Sequence, residues 1–345
     1  MLADGLAERL DICRRDLRRH AAPATEQDPP LVFHRFDHRP GRPADLVGGP
    51  GRQHVARWKI PQEHDRLGRG QKQVDGRPNL LVVTGALVSE VVLDNGRATG
   101  VRYRIGEREM LASAGGEVIL AAGSINSPKL LELSGIGDPA VLSQLGIEVR
   151  RALPGVGANL QDHLQIRTVF RVSGARTLNQ LANSLVGKAA MAIEYGMLRS
   201  GPLSMAPSQL GIFTRSDDSV ETPDLEYHIQ PLSTDKLGDP LHRFPAITVS
   251  VCNLRPDSRG SVHATTPDAE RQPDIRLNYL SAQSDRDVAV KAVQQARQIM
   301  TAKVLSRYQP EEILPGPAIS TEEDLVREIG NIATTIFHPV GTCKM

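Results

Sequence analysis

Ten histidines and three cysteines are the side chains of this chain best suited to proton transfer, metal binding or nucleophilic attack. Cys13, Cys252 and Cys343 stand far apart and match no metal-ligand spacing. His228, His242 and His263 lie in strand-like or loop sequence, without partners at such spacing. His338 has a different context. It precedes Pro339, which biases its backbone to extended geometry, and Gly341 follows closely. An imidazole held that way can be aimed into a cleft, where its ordinary pKa of about 6.5 suits it to accept a proton. By composition alone, a lone histidine before proline is more often a plain surface residue. The second feature is Gly123, at the end of the apolar run EVILAAG. Without a Cβ it lets a ligand approach the backbone, and a helix starting just after it would offer free N–H groups and a positive dipole end. A simple strand-to-helix turn is the alternative.

The elements that would position these residues follow from pattern. NLLVV (79–83), ALVSEVVL (86–93) and ATGVRYR (98–104) read as strands rich in β-branched residues. Asp94-Asn95-Gly96 supplies the positive-φ positions of a hairpin turn. EVILAAG (117–123) reads as a short strand buried on both faces. A helix is predicted from an N-cap at Ser127 with Pro128 first, ended by Gly135; a second runs from the cap Asp138 to Gly146. AITVSVCNL (246–254) is an apolar strand, and 284–305 has a helical period burying Val288, Val290, Val293, Ala296, Ile299 and Met300. Asp224 and Glu226 alternate along a strand and are most simply solvated. His163 is expected to help hold a loop, with a ligand-side contact the lesser alternative.

EVILAAGSINSPKLLELSGIGDPAVLSQLGIEVRRALPGVGANLQDH, residues 117–163, resembles the glucose–methanol–choline (GMC) family of oxidoreductases. The likeness rests on Ala122, Gly123, Ser127, Pro128, Leu130, Leu131 and Ser134-Gly135-Ile136-Gly137, then on PGVGANLQDH (154–163). Residues 253–280 and TTIFHPVGTCKM (334–345) continue it, so it covers roughly residue 76 to the end. The resemblance implies a mixed α/β fold, an FAD-binding three-layer domain with an antiparallel-sheet substrate domain. It implies FAD as cofactor and oxidation of an alcohol CH–OH to a carbonyl, choline or a simple alcohol being the expected substrate. His338 matches the family's active-site base, Ala122, Gly123, Gly341 and Thr342 its flavin side, and Val88 a backbone contact to the adenine half. The implied division is 76–165 for the FAD domain, 166–283 for the substrate domain and 284–345 for the return to the FAD domain.

Residues 1–75 have another texture. They are thick with Arg, His, Gln, Pro and Gly, sustain no period, and are expected to be poorly ordered. A natural extension and a stretch read in a shifted frame (14–75) both remain open. The family's Gly-x-Gly-x-x-Gly turn is not found; Leu46-Val47-Gly48-Gly49-Pro50-Gly51 reads as loop. The chain therefore reads as truncated, with the FAD domain incomplete, and a non-catalytic remnant retaining no FAD is the alternative function. Lys+Arg 41 against Asp+Glu 40 and aromatics at 3% argue against a nucleic-acid partner. No transmembrane segment is expected, the widely spaced cysteines suit a reducing, cytoplasmic compartment, and attachment to a membrane surface stays open. The electron acceptor is not specified by these residues.

Overall fold

The computed structural model describes residues 31–33, by backbone only, and residues 79–206, 208–235 and 238–344. Cys13, the glycine run 46–51 and the rest of 1–78 lie outside the described residues, and so does the expectation of poor order there. The described residues divide into two compact units, one of 31–33, 79–122 and 268–270, the other of 123–267 and 271–344.

In the first unit, strand β1 (Leu31–Phe33) pairs in parallel with β2 (Leu80–Val82). Strands β3 (Leu87–Asp94), β4 (Arg97–Ile105) and β5 (Arg108–Ser113) form an antiparallel meander. The predicted hairpin is present, with Asn95 at φ 48° and Gly96 at φ 77°, the left-handed pair that matches strand twist. Strand β5 escaped the sequence pattern because its REMLAS run is half polar. The expected buried strand 117–123 does not form. Residues 117–121 have no regular structure, and Ile119 is 66% exposed. Strand propensity is realised only through paired neighbours, and no described strand pairs with this run.

The second unit opens with helix α1 (Gly123–Leu133), which begins four residues before the predicted cap. Ser127 and Pro128 therefore lie inside it. Gly135, at φ 79°, stops the chain after α1, where a Cβ would stand 2.6 Å from the Glu148 carbonyl oxygen. Strands β6 (Ile136–Gly137) and β7 (Arg151–Ala152) pair in parallel around helix α2 (Pro139–Gln144), whose cap Asp138 accepts from the Ala140 N–H at 2.7 Å. The cap and proline were both legible in advance.

The main sheet follows from β8 (Leu164–Arg171), β9 (Leu210–Thr214), β10 (Leu225–Gln230), β11 (Ala246–Asn253), β14 (Glu311–Leu314) and β15 (Ala333–Thr335). Its order is β14-β8-β11-β10-β9, with β15 also pairing β8, and all these pairings are antiparallel. Helices α3 (Leu178–Ala182) and α4 (Leu185–Leu198) sit in the β8–β9 connection, and the hairpin β12 (Ser261–His263)–β13 (Asp274–Arg276) follows β11. Helix α5 (Gln283–Met300) buries Val290, Val293, Ala296 and Met300 as its period foretold, and α6 (Glu322–Ile332) buries Leu325 and Ile329. These stripes pack with Ile166, Phe170, Leu225, Tyr227, Val249 and Val251 into one core. The Tyr227 hydroxyl, buried within it, donates to the Ala292 carbonyl at 2.8 Å. The fold is thus mixed α/β with antiparallel sheets, as expected.

Candidate active site

Two segments far apart in sequence are stitched together in the second unit. Gln161 and Val340 exchange both backbone hydrogen bonds, at 2.9 and 2.8 Å, and the Gly157 N–H donates to the Thr342 carbonyl at 2.8 Å. PGVGANLQDH thus runs antiparallel to HPVGTC. Gly341 has φ 93° and a Cβ there would lie 2.6 Å from the Asn159 carbonyl oxygen, so both conformation and space favour glycine.

The same return segment meets the start of α1. The Ser124 hydroxyl donates to the Pro339 carbonyl at 2.6 Å, and the Thr342 hydroxyl donates to the Ser124 carbonyl at 2.6 Å. The second bond has a cause in the sequence. Pro128 has no N–H to give the carbonyl four residues back, which is that of Ser124, and Thr342 fills the vacancy. Thr342 is accordingly 1% exposed. Gly123, one residue earlier, has φ 77°, and a Cβ built on it meets nothing within 4 Å. The helix start next to His338's segment is therefore open.

His338 is exposed at its side chain and held by its backbone. Its N–H donates to Asp162 at 2.9 Å. Asp162 is 5% exposed, and its other oxygen accepts from the Thr335 hydroxyl at 2.5 Å and from the Tyr279 hydroxyl. Burial, and then donation to that carboxylate, push the Tyr279 phenol well above its ordinary pKa. The residue before the histidine, Phe337, sits at φ 66° with its N–H donating to the Thr335 hydroxyl at 2.9 Å. A non-glycine residue in that region is strained, and such strain gathers where a neighbour must be aimed.

The imidazole of His338 meets that of His163, Nδ1 to Nδ1 at 3.4 Å, with the rings 5.5 Å apart and edge-on at 69°. His163 Nε2 lies 3.3 Å from the Leu254 carbonyl oxygen. A carbonyl only accepts, so neutral His163 carries its proton on Nε2 and presents a bare Nδ1. His338 must then donate from Nδ1, which leaves its Nε2 as an open lone pair.

His338, Gly341, Thr342 and Gly123 are thus brought together. Ala122 closes the first unit, and Val88 lies in that unit on β3, half-buried opposite Tyr103. Nothing in the sequence marked Asp162, and His163 was expected mainly to hold a loop, with cofactor-side contact the lesser alternative; the available signal was their position just before strand β8. Asp224 and Glu226 are corrected. Asp224 is 7% exposed and accepts from the Ser216 N–H and hydroxyl, both at 2.7 Å, while Glu226 pairs with His228 at 2.9 Å. An acid at the mouth of a strand can serve as a turn acceptor, which alternation alone does not reveal.

Comparison with known proteins identifies the family. Two GMC oxidoreductase family models match residues 71–165 and 256–345, together more than half of the chain. The chain belongs to the GMC oxidoreductase family. It is 32% identical over 304 residues to an alcohol dehydrogenase (acceptor) of Pseudomonas putida, covering 86% of this chain and 55% of that one. It is 35% identical over 273 residues to an oxygen-dependent choline dehydrogenase of Pectobacterium atrosepticum, covering 79% and 49%. Among solved structures it resembles the formate oxidase of Aspergillus oryzae RIB40, with a TM-score of 0.71 at 25% identity over 78% of this chain and 52% of the other. The chain spans about half the length of the curated relatives it matches.

Proposed function

We propose that this chain takes part in FAD-dependent oxidation of an alcohol CH–OH group to a carbonyl, with His338 as the base. The observation that carries the reading is the meeting of the α1 start with the His338–Thr342 segment, through the Ser124–Pro339 and Thr342–Ser124 hydrogen bonds. The residues present fit a flavin. Gly123 leaves open space at the amino end of a helix whose first N–H groups lack intrahelical partners, and an imidazole with a bare nitrogen is carried on the adjoining segment. Gly123 and Ser124 would hold the ring and Gly341 and Thr342 would support it. FAD, when bound, accepts the two electrons and the carbinol hydrogen that leave together as hydride.

The protein's own part is proton handling. His338 Nε2 takes the hydroxyl proton as the carbonyl forms. The resulting imidazolium keeps its Nδ1–H on His163, whose own proton rests on the Leu254 carbonyl, so the added charge is shared along a short relay. Asp162 fixes where this happens by holding the His338 backbone. The relatives' printed names, alcohol dehydrogenase and choline dehydrogenase, support an alcohol as substrate.

The test is to load the chain with FAD, desalt it, and follow bleaching of the bound flavin by alcohols without oxygen. Wild type is expected to bleach. His338→Ala should keep its flavin and slow by about 100- to 10,000-fold, the usual worth of a general base. Unaltered bleaching in His338→Ala would reject the assignment, and failure to retain flavin would reject the reading as a whole.

A further inference from the structure

The sheet face away from α5 and α6 carries Gln165 and Arg167 of β8, opposite Cys252 and Ser250 of β11, with Glu226 and His228 of β10 beyond. Arg167 is 7% exposed. Among the described residues its guanidinium makes one hydrogen bond, a long one of 3.4 Å from Nη1 to Gln165 Oε1. A guanidinium has five donors and does not give up its proton in proteins, so this is a positive charge on a largely buried side chain, with most of its donors bonded to nothing among the described residues. Burial lowers its pKa, and no acidic neighbour among the described residues offsets that. The acid on this face, Glu226, is already engaged by His228 at 2.9 Å.

Geometry ties this charge to the proposed base. Residues 163, 165 and 167 share one side of an extended chain. The bond to Gln165 shows the guanidinium leaning back along β8 toward His163, whose ring meets His338. The two-residue repeat of an extended chain, roughly 7 Å, then sets the scale of the separation expected between the guanidinium and His163. That is the span of a short carbon chain with a hydroxyl at one end and a charged group at the other.

We propose that Arg167 receives the carboxylate of the substrate, so that the alcohols oxidised here are hydroxy acids rather than neutral or cationic alcohols. The proposal rests on the reading of His338 as the base and adds the substrate class to it. A carboxylate takes two parallel hydrogen bonds from the guanidinium and supplies the missing counter-charge. A quaternary ammonium alcohol would meet uncompensated like charge instead.

The experiment compares three probes of similar length, 4-hydroxybutyrate, 1-butanol and choline, titrated calorimetrically into the FAD-loaded chain. The acid should bind about 10-fold or more tightly than either other probe, in line with a site built for a polar group. Arg167→Gln should bring acid binding down to the level of 1-butanol, and Arg167→Lys should restore part of the difference; circular dichroism checks that each variant is folded. Choline or 1-butanol binding as well as the acid would overturn the proposal, and this comparison needs only wild type. So would undiminished acid binding in folded Arg167→Gln. Flavin bleaching separates the two readings. Acid that binds through Arg167 while every probe leaves the flavin oxidised defeats the redox reading alone. Bleaching by choline, with the acid neither bound nor oxidised, defeats the Arg167 proposal alone.

Discussion

On the helix-covered side of the six-stranded sheet, Ile166, Phe170, Leu225, Tyr227, Val249 and Val251 are each at most 3% exposed, and the one hydroxyl among them is bonded to α5. On the other side the same strands present Gln165, Arg167, Cys252, Ser250, Glu226 and His228. Arg167, Ser250 and Cys252 on this side are also buried, while Glu226 and His228 are half-buried. The two sides differ in how polar groups are treated. The first side leaves none unsatisfied, whereas the second keeps a guanidinium without a counter-charge. Burying a charge unpaired costs stability, so a site that retains one does so at the expense of the fold. The contrast is the one the Arg167 proposal requires: one side holds the unit together, and the other keeps a charge free for a ligand. Cys252 belongs to the second side yet is inert there, its thiol pushed up to about 12 by burial and the nearby Glu226 and Asp162 carboxylates.

The comparison can be broken most forcefully on the core side. Leu325 is fully buried between α6 and the sheet, so Leu325→Ala should cost about 2–5 kcal/mol, read as a fall in the urea midpoint. Arg167→Met, on the opposite side, should leave that midpoint unchanged or raise it, because an apolar side chain replaces an uncompensated charge. A loss as large as that of Leu325→Ala would show Arg167 to be structural and dissolve the distinction.

A smaller effect concerns the link between α1 and β12. Glu132, fully buried, accepts from His263 Nδ1 and from the Ala264 N–H, both at 2.7 Å. Donation to Glu132 raises the His263 pKa, against the opposing pull of burial. A raised folded value means the contribution is full below the unfolded pKa of about 6.5 and fades as pH climbs through the folded value. Part of the ring faces solvent, so the effect is on the order of 1 kcal/mol or less. The gap in urea midpoint between wild type and His263→Asn should therefore be widest in mild acid and shrink above neutrality. A gap that widens with pH would contradict the linkage.

Much of this was legible in the chain itself, for local reasons. Asn95-Gly96 and Asp138-Pro139 speak through backbone geometry within four residues, and α5 speaks through its period. His338 and Gly341 were visible through family resemblance. Asp162 was not, because its partners Tyr279, Thr335 and His338 come from more than a hundred residues away and no local pattern marks a hub. The α1 start was misplaced because a cap-and-proline reading of Ser127-Pro128 is locally sound. Only the Thr342 hydroxyl, supplied from the far end, makes a proline tolerable inside the helix. Residues 117–123 show the converse, a strand-like composition without partners to make it a strand.

The relay between the two imidazoles is the part of the account most directly open to measurement. Long-range proton–nitrogen correlation spectra of the histidine rings, taken where both are neutral, report which nitrogen carries each proton. His338 should carry its proton on Nδ1 and His163 on Nε2, leaving His338 Nε2 free to receive a proton. A His338 ring protonated on Nε2 would contradict the account, because the atom assigned to accept the alcohol proton would already be filled.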